Sequence, residues 1–177
     1  MPVVTDELTY DHAGITRDPG AATPPGFHRL RERTRLGAGP EVMAAATRAL
    51  FGWRMHRAAG LRVPADTPDA APGVRVPLRF GPLRAPCRVV WAERGPERAG
   101  FAYGTLAGHP ERGEESFVVG READGTVWLD VTAVSGPGAW YVRLLGPLGR
   151  VTQRVVARRY GRCLRRLSQD ETIEKGS

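Results

Sequence analysis

Lysine is almost missing from this 177-residue chain: Lys175 is the only one among 26 basic residues, and the other 25 are arginines. The arginine side chain is a planar fork of donors whose charge does not titrate, so the positive charge is fixed at ordinary pH. Cysteine is scarce as well. Cys87 and Cys163 lie far apart and outside any CxxC pair, which excludes a disulfide scaffold and a thiolate zinc site. They read as two inert, half-buried thiols in a reducing compartment. Long apolar runs are missing too. No stretch approaches the ~18 residues of a membrane helix, and Met1-Pro2-Val3-Val4-Thr5-Asp6-Glu7-Leu8 has neither the basic head nor the apolar centre of a secretory signal. The expectation is a cytoplasmic protein with no transmembrane segment. Acid, finally, is absent between Asp130 and Asp170, in a chain whose net charge is +7.

What is present points to a folded domain. Hydrophobic residues make up 41% of the chain, too many for a wholly disordered sequence, and the 22 glycines and 15 prolines follow no collagen period. The length suits one domain that buries roughly 70% of its unfolded surface. Turn signals at Asp18-Pro19-Gly20 and Thr23-Pro24-Pro25-Gly26 make residues 1–25 a weakly ordered lead-in. The domain proper is read as 26–168, with 169–177 as a flexible tail.

Along the domain, Arg29, Arg31, Arg33 and Arg35 recur at every second residue, which predicts a strand with four guanidinium groups on one face. Gly37-Ala38-Gly39 then breaks the chain, and Pro40 sits at a first helical position. Its glycines resemble a phosphate-cradling turn, but the P-loop lysine and the GxGxxG continuation are absent, so a plain strand-to-helix turn is the better reading. A helix follows over 40–59, with Val42, Ala46, Leu50 and Trp53 on one stripe and Gly60 as its stop. Five β-prone runs come next, at 74–80, 84–92, 100–106, 115–121 and 126–134, with Asp124-Gly125 as the strongest hairpin signal. The last element starts near Trp140 and carries Leu148, Val151, Val155, Tyr160, Cys163 and Leu167 at helical spacing. Strands and helices do not alternate, so a doubly wound sheet is disfavoured. The predicted fold class is α+β: an antiparallel sheet curled around a long C-terminal helix, the helix-grip arrangement. A hollow between helix and sheet is a natural ligand pocket; a filled α+β sandwich is the competing reading.

The densest chemistry lies between Tyr103 and Glu115, where Thr105, His109, Glu111, Glu114 and Glu115 also fall. An imidazole titrates near neutrality, so His109 and Glu114 are the candidate general base and orienting partner. The simpler alternative is that they hold a tight turn together. Tyr103, Thr105, Trp128, Phe101 and Glu115 are the candidate ligand contacts, and Trp91, Trp140 and Phe117 join the aromatics able to line a cavity or fill a core. His109 with Glu111, Glu114 and Glu115 is a poor zinc set, since His12, His28 and His56 are remote in sequence. No metal or other cofactor is expected. There is no GxSxG elbow.

The run Gly100-Phe101-Ala102-Tyr103-Gly104-Thr105-Leu106-Ala107-Gly108-His109-Pro110-Glu111-Arg112-Gly113-Glu114-Glu115-Ser116-Phe117 resembles domain-of-unknown-function family 1990. So do Pro25-Gly26-Phe27, Leu36-Gly37-Ala38-Gly39, the stretch from Trp53 to Gly60, and Pro147 to Tyr160, above all Gln153 and Arg159-Tyr160. The resemblance spans roughly residues 25–165. Met43 stands where that family is expected to carry an aromatic residue. The resemblance implies kinship with START-like, polyketide-cyclase-like helix-grip domains and carries no activity of its own.

The leading expectation is therefore a binder of a small, largely apolar molecule between sheet and C-terminal helix, open to cyclase-like or proton-transfer chemistry at His109 or Glu114. The alternative is a basic module binding nucleic acid or an anionic surface through Arg150, Arg154, Arg158, Arg162 and Arg165. Eight arginines between Arg143 and Arg166 could neutralise phosphates, but no nucleic-acid-binding motif accompanies them. A solvated helix face accounts for them better.

Overall fold

The period-two arginine row forms a strand. In the computed structural model, which describes residues 7–138 and 140–175 and leaves aside the side chains of 140–147 and 174–175, β1 spans His28–Ala38. Leu30 and Leu36 are buried beneath it, and the four arginines take the opposite face. Three of the four are engaged within the chain. Arg33 lies 4.5 Å over the Trp128 ring and pairs with Glu122 at 2.6 Å and Asp130 at 3.3 Å. Arg29 and Arg31 donate to the carbonyls of Ala21 and Pro19.

The predicted helix over 40–59 is two helices, α1 (Pro40–Phe51) and α2 (Arg54–Ala58). Gly52 ends the first, and Trp53 turns into the left-handed region at φ 63°, a conformation a bulky residue adopts only when its surroundings enforce it. Here they do: the indole is fully buried and donates Nε1–H to the Pro68 carbonyl at 2.7 Å. Leu50, Phe51, Trp53 and Met55 are all fully buried, and each such side chain contributes roughly 1.5–3 kcal/mol through removal from water.

The strands follow as β2 (Arg75–Phe80), β3 (Leu83–Arg94), β4 (Arg98–Thr105), β5 (Glu111–Arg121) and β6 (Thr126–Pro137). They form one antiparallel sheet in the order β1-β6-β5-β4-β3-β2. Asp124-Gly125 makes the β5–β6 turn as predicted, with Gly125 at φ 86° and Thr126 N–H on Asp124 Oδ1 at 2.8 Å. Register shifts between Arg35 and Gly37 and between Val89 and Trp91 add local twist. α3 (Trp140–Lys175) packs against the inner face together with α1 and α2, and the main core lies between these helices and the sheet.

The inward face of α3 keeps Tyr160, Cys163 and Leu167 of the predicted stripe and departs from its first half. Leu148, Val151 and Val155 are exposed, while Ala157, Tyr160, Leu164 and Ser168 are buried. The helix is turned so that small residues meet the sheet: a Cβ on Gly161 would come 2.1 Å from Thr34 Oγ1. The segment expected as a flexible tail is helical through Lys175 and held there, with Gln169 donating to the Leu36 carbonyl at 3.2 Å and Glu171 paired with Arg48 and Arg54. Residues 176 and 177 lie outside the described chain.

The opposite face of the sheet has its own small cluster of Trp91, Ala102 and Val118. The lead-in segment lies over it: Trp91 Nε1 donates to Thr16 Oγ1 at 3.3 Å, and Tyr10 and Thr16 are buried. Gly104 makes room for this, since a Cβ there would stand 2.3 Å from the Tyr10 hydroxyl. Residues 1–6 of the lead-in lie outside the described chain.

Candidate ligand-binding site

Between the inner face of β4–β6 and the first half of α3 lies a cavity of about 320 Å³. β4 and β5 alternate in and out, which brings Tyr103, Glu111 and Glu115 to its floor; Gln153, Val156 and Tyr160 come down from α3. Leu61, Phe80 and Leu83 form its apolar rim, with Phe80 and Leu83 about half exposed. Thr105 and His109 complete the lining on the β4–β5 turn.

Two polar networks mark the interior. The Tyr103 hydroxyl donates to Glu115 Oε2 at 2.9 Å. Burial, with the Glu111 charge in the same sense and the Tyr103 bond opposing, raises the Glu115 carboxyl to about 7. Next to it, Gln153 Nε2 donates to Glu111 Oε2 at 2.7 Å and to Ser135 Oγ at 3.0 Å, and Gln153 Oε1 is 2.7 Å from His28 Nε2. Burial also raises the Glu111 carboxyl, against the pull of its Gln153 bond. A carboxyl that titrates near neutrality can both give and take a proton, which is the property a general acid–base group needs.

The adjacent residue is arranged quite differently. Glu114 points to the outer face, where its carboxylate accepts four hydrogen bonds: Tyr10 hydroxyl and Gly14 N–H at 2.7 Å, Thr16 N–H at 3.0 Å and Thr16 hydroxyl at 2.5 Å. Both oxygens are occupied by the lead-in segment. His109 keeps its place at the cavity, but its Nδ1 engages the Glu111 backbone at 2.9–3.0 Å, and burial lowers the imidazole to about 4. It is neutral at neutral pH and too weakly basic to match a general-base task there. Thr105 Oγ1 accepts from Gly113 N–H at 2.9 Å and shares a hydrogen bond with Thr9 Oγ1.

Of the residues singled out from sequence, Tyr103, Thr105, His109 and Glu115 therefore meet at one cavity. Glu114 does so through its chain only, its carboxylate being on the far side. Trp128 stands on the outer face, donating Nε1–H to Glu122 beneath Arg33. Phe101 is fully buried against Phe51 and Trp53. Trp91 belongs to the outer cluster and Phe117 to the core; the Trp140 and Arg143 side chains lie outside those described. Gln153 was flagged only as a motif residue and Tyr160 as a motif and stripe residue, yet they form the roof. His56 is brought in as well: its ring lies 5.8 Å from Tyr103 and 5.3 Å from Tyr160. It is fully buried, neither ring nitrogen has a partner among the described residues, and burial lowers it to about 3. Among the described residues no three His, Cys, Asp or Glu side chains converge as metal ligands, since Glu114 and Glu115 lie on opposite faces. Cys87 is buried, which pushes its thiol up and leaves it unreactive.

A long helix gripped by an antiparallel sheet around a cavity defines a helix-grip protein. Hypothetical protein jhp0584 of Helicobacter pylori shares the fold with a TM-score of 0.60 at 9% identity, over 95% of this chain and 99% of that one. So does a point mutant of Thalictrum norcoclaurine synthase in complex with a transition-state analogue, with a TM-score of 0.58 at 9% identity, over 86% of this chain and 99% of that one. At such identities the likeness carries the fold alone. A UPF0548 protein of Deinococcus radiodurans is 37% identical over 170 residues, covering 88% of this chain and 85% of that protein. The sequence profile "Domain of unknown function (DUF1990)" matches residues 9–163, and the chain belongs to that family.

Proposed function

We propose that this protein binds a small, largely apolar molecule in the cavity between sheet and α3, with Tyr103 and Glu115 meeting its polar end and Thr105 and His109 lining its side. The observation that supports this best is the cavity itself, about 320 Å³ with an apolar rim and two half-buried glutamates; a filled core would offer none of that. Binding pockets commonly combine an apolar lining with a few convergent polar groups. Where the bound molecule is also transformed, Glu115 is the proton-transfer group, because it titrates near neutrality while His109 does not and the carboxylate of Glu114 is engaged elsewhere.

The test is binding of a neutral polarity-sensitive dye, Nile red, together with native mass spectrometry for a co-purifying molecule. Val156→Trp projects a large ring into the cavity and should weaken dye binding at least about tenfold, the effect expected when a pocket's volume is filled. Dye affinity unchanged in a folded Val156→Trp protein would refute the site.

A second reading has a specific observation behind it. Leu148, Val151 and Val155 are 69%, 60% and 55% exposed on α3, and Arg150 and Arg154 are exposed on the same stretch. An apolar stripe flanked by arginine suits an anionic membrane surface. Co-sedimentation with phosphatidylserine vesicles at low salt, and its loss in Val151→Asp, is the check; no sedimentation at low salt removes this reading.

A further inference from the structure

The chain carries 26 Lys and Arg against 19 Asp and Glu, yet among the described residues no arginine or lysine lines the cavity. Its ionisable lining is instead Glu111, Glu115, His109, Tyr103 and Tyr160, the carboxylate of Glu114 being turned to the other face. His109 is neutral, and both phenols are held protonated by burial. Among the described residues the side-chain donors to these carboxyls are neutral, the Tyr103 hydroxyl for Glu115 and the Gln153 amide for Glu111, and the cation that acts on Glu111, His28, stands beyond Gln153 and outside the cavity lining. A buried carboxylate without a counter-charge is costly, and it responds either by keeping its proton or by acquiring a cation.

We infer that the cavity takes a small apolar amine, its ammonium group at Glu115 within the field of Glu111 and its apolar body toward Phe80 and Leu83. This rests on the cavity being the binding site, and it adds the chemical class of the ligand. An ammonium placed there makes charge-assisted hydrogen bonds, which are roughly twice as strong as neutral ones. It also supplies a positive charge that the described lining lacks. A carboxylate ligand meets two like charges, and an alcohol gains only a neutral bond. The rim matches the other end of such a molecule, because Leu61, Phe80, Leu83 and Val156 offer apolar carbon and no charge.

Calorimetry with three matched probes separates the outcomes: 2-(1-naphthyl)ethylamine, 2-(1-naphthyl)ethanol and 1-naphthylacetate. At pH 8 the amine should bind at least about tenfold tighter than the alcohol, and the acetate weaker than either. Glu115→Gln should collapse the amine-over-alcohol ratio to within about threefold. Should that variant not fold, pH on the wild type replaces it. Amine affinity should rise between pH 6 and pH 8 as Glu115 gives up its proton, while alcohol affinity stays level. Of the groups facing Glu115, Tyr103 on β4, Cys87 on β3, Tyr160 on α3 and His109 on the turn keep their charge in that window; Glu111 on the same strand acts in the same sense, and His28 on β1 acts on Glu111 from across Gln153. Alcohol and amine binding equally, the acetate binding best, or an amine affinity flat with pH would each overturn the inference and leave the cavity reading standing. If none of the three binds, the cavity reading falls and the inference with it.

Discussion

Glu114 and Glu115 are neighbours in the chain and serve opposite faces of β5. The Glu115 carboxyl is directed into a cavity where one phenol meets it; the Glu114 carboxylate is buried on the outer face among four donors from residues 10–16. Strand geometry requires that adjacent side chains point apart, so one of the two had to face outward. Which one was not legible, because β5 is apolar on both faces: Phe117 and Val119 pack inward and Val118 outward. Covering of the outer face by the lead-in segment removes the polar alternation that would have fixed the parity. Glu114→Ala is expected to leave the Tyr10 and Thr16 donors unpaired at a cost of about 3 kcal/mol or more, since hydrogen bonds to charged groups are worth roughly 1.5–3 kcal/mol each. Urea unfolding measures this, and limited proteolysis should cut residues 7–26 faster than in the wild type. Nile red affinity should hold; its loss at unchanged stability would return Glu114 to the cavity site.

At the scale of elements, the strands were legible and the helices less so. Each strand boundary sat at a Gly- or Pro-containing turn, and the predicted runs overlap all six observed strands. The expected single helix over 40–59 breaks because Trp53 is seated in the core and tied to Pro68, a tertiary contact that local periodicity does not carry. The stripe on α3 was right in its second half, where Tyr160 is buried and Cys163 and Leu167 pack against the core, and misplaced in its first half for a related reason. Its inward face opens on Gln153, Ala157 and Gly161, small or polar residues with a weak hydrophobic signal beside Val156, Tyr160 and Leu164, while Leu148, Val151 and Val155 supply a strong signal and stay exposed. Gly161 tests this packing. Helix propensity alone favours alanine there by about 1 kcal/mol, but the added methyl would stand 2.6 Å from Thr34 Cβ on β1. Gly161→Ala should therefore destabilise by about 1–3 kcal/mol through overpacking, read by chemical denaturation. A gain in stability would mean that α3 and β1 do not approach so closely.

For the molecule as a whole, the separation of charge sets how stability follows pH. Arginine occupies the surface in a form that does not titrate, so the ionisations that matter near neutrality are buried ones. The His56 imidazole falls from 6.5 to about 3 on burial and His109 to about 4. In both cases the unfolded chain binds a proton that the folded one refuses, so their contribution is intact above pH 6.5 and is lost as pH falls toward those values. Glu115 acts in the reverse sense: raised from 4.5 to about 7, it favours the fold most below pH 4.5, and that advantage fades as pH rises through 7. For His56 the loss at pH 5 amounts to about 2 kcal/mol, from the difference between the two titrations. The ring sits among Trp53, Phe117 and Tyr160 at 4.9–5.3 Å, so a phenyl ring meets the same neighbours. His56→Phe also removes two nitrogens that have no partner among the described residues, which should raise stability at every pH. Its signature is nonetheless the slope: urea unfolding between pH 7 and pH 5 should show a smaller decline than in the wild type by about 2 kcal/mol. Glu115→Gln should act on the other limb, lessening the decline between pH 5 and pH 8. Parallel slopes in wild type and His56→Phe would mean that the imidazole finds a proton partner in the folded chain and that the aromatic packing around it is looser than described.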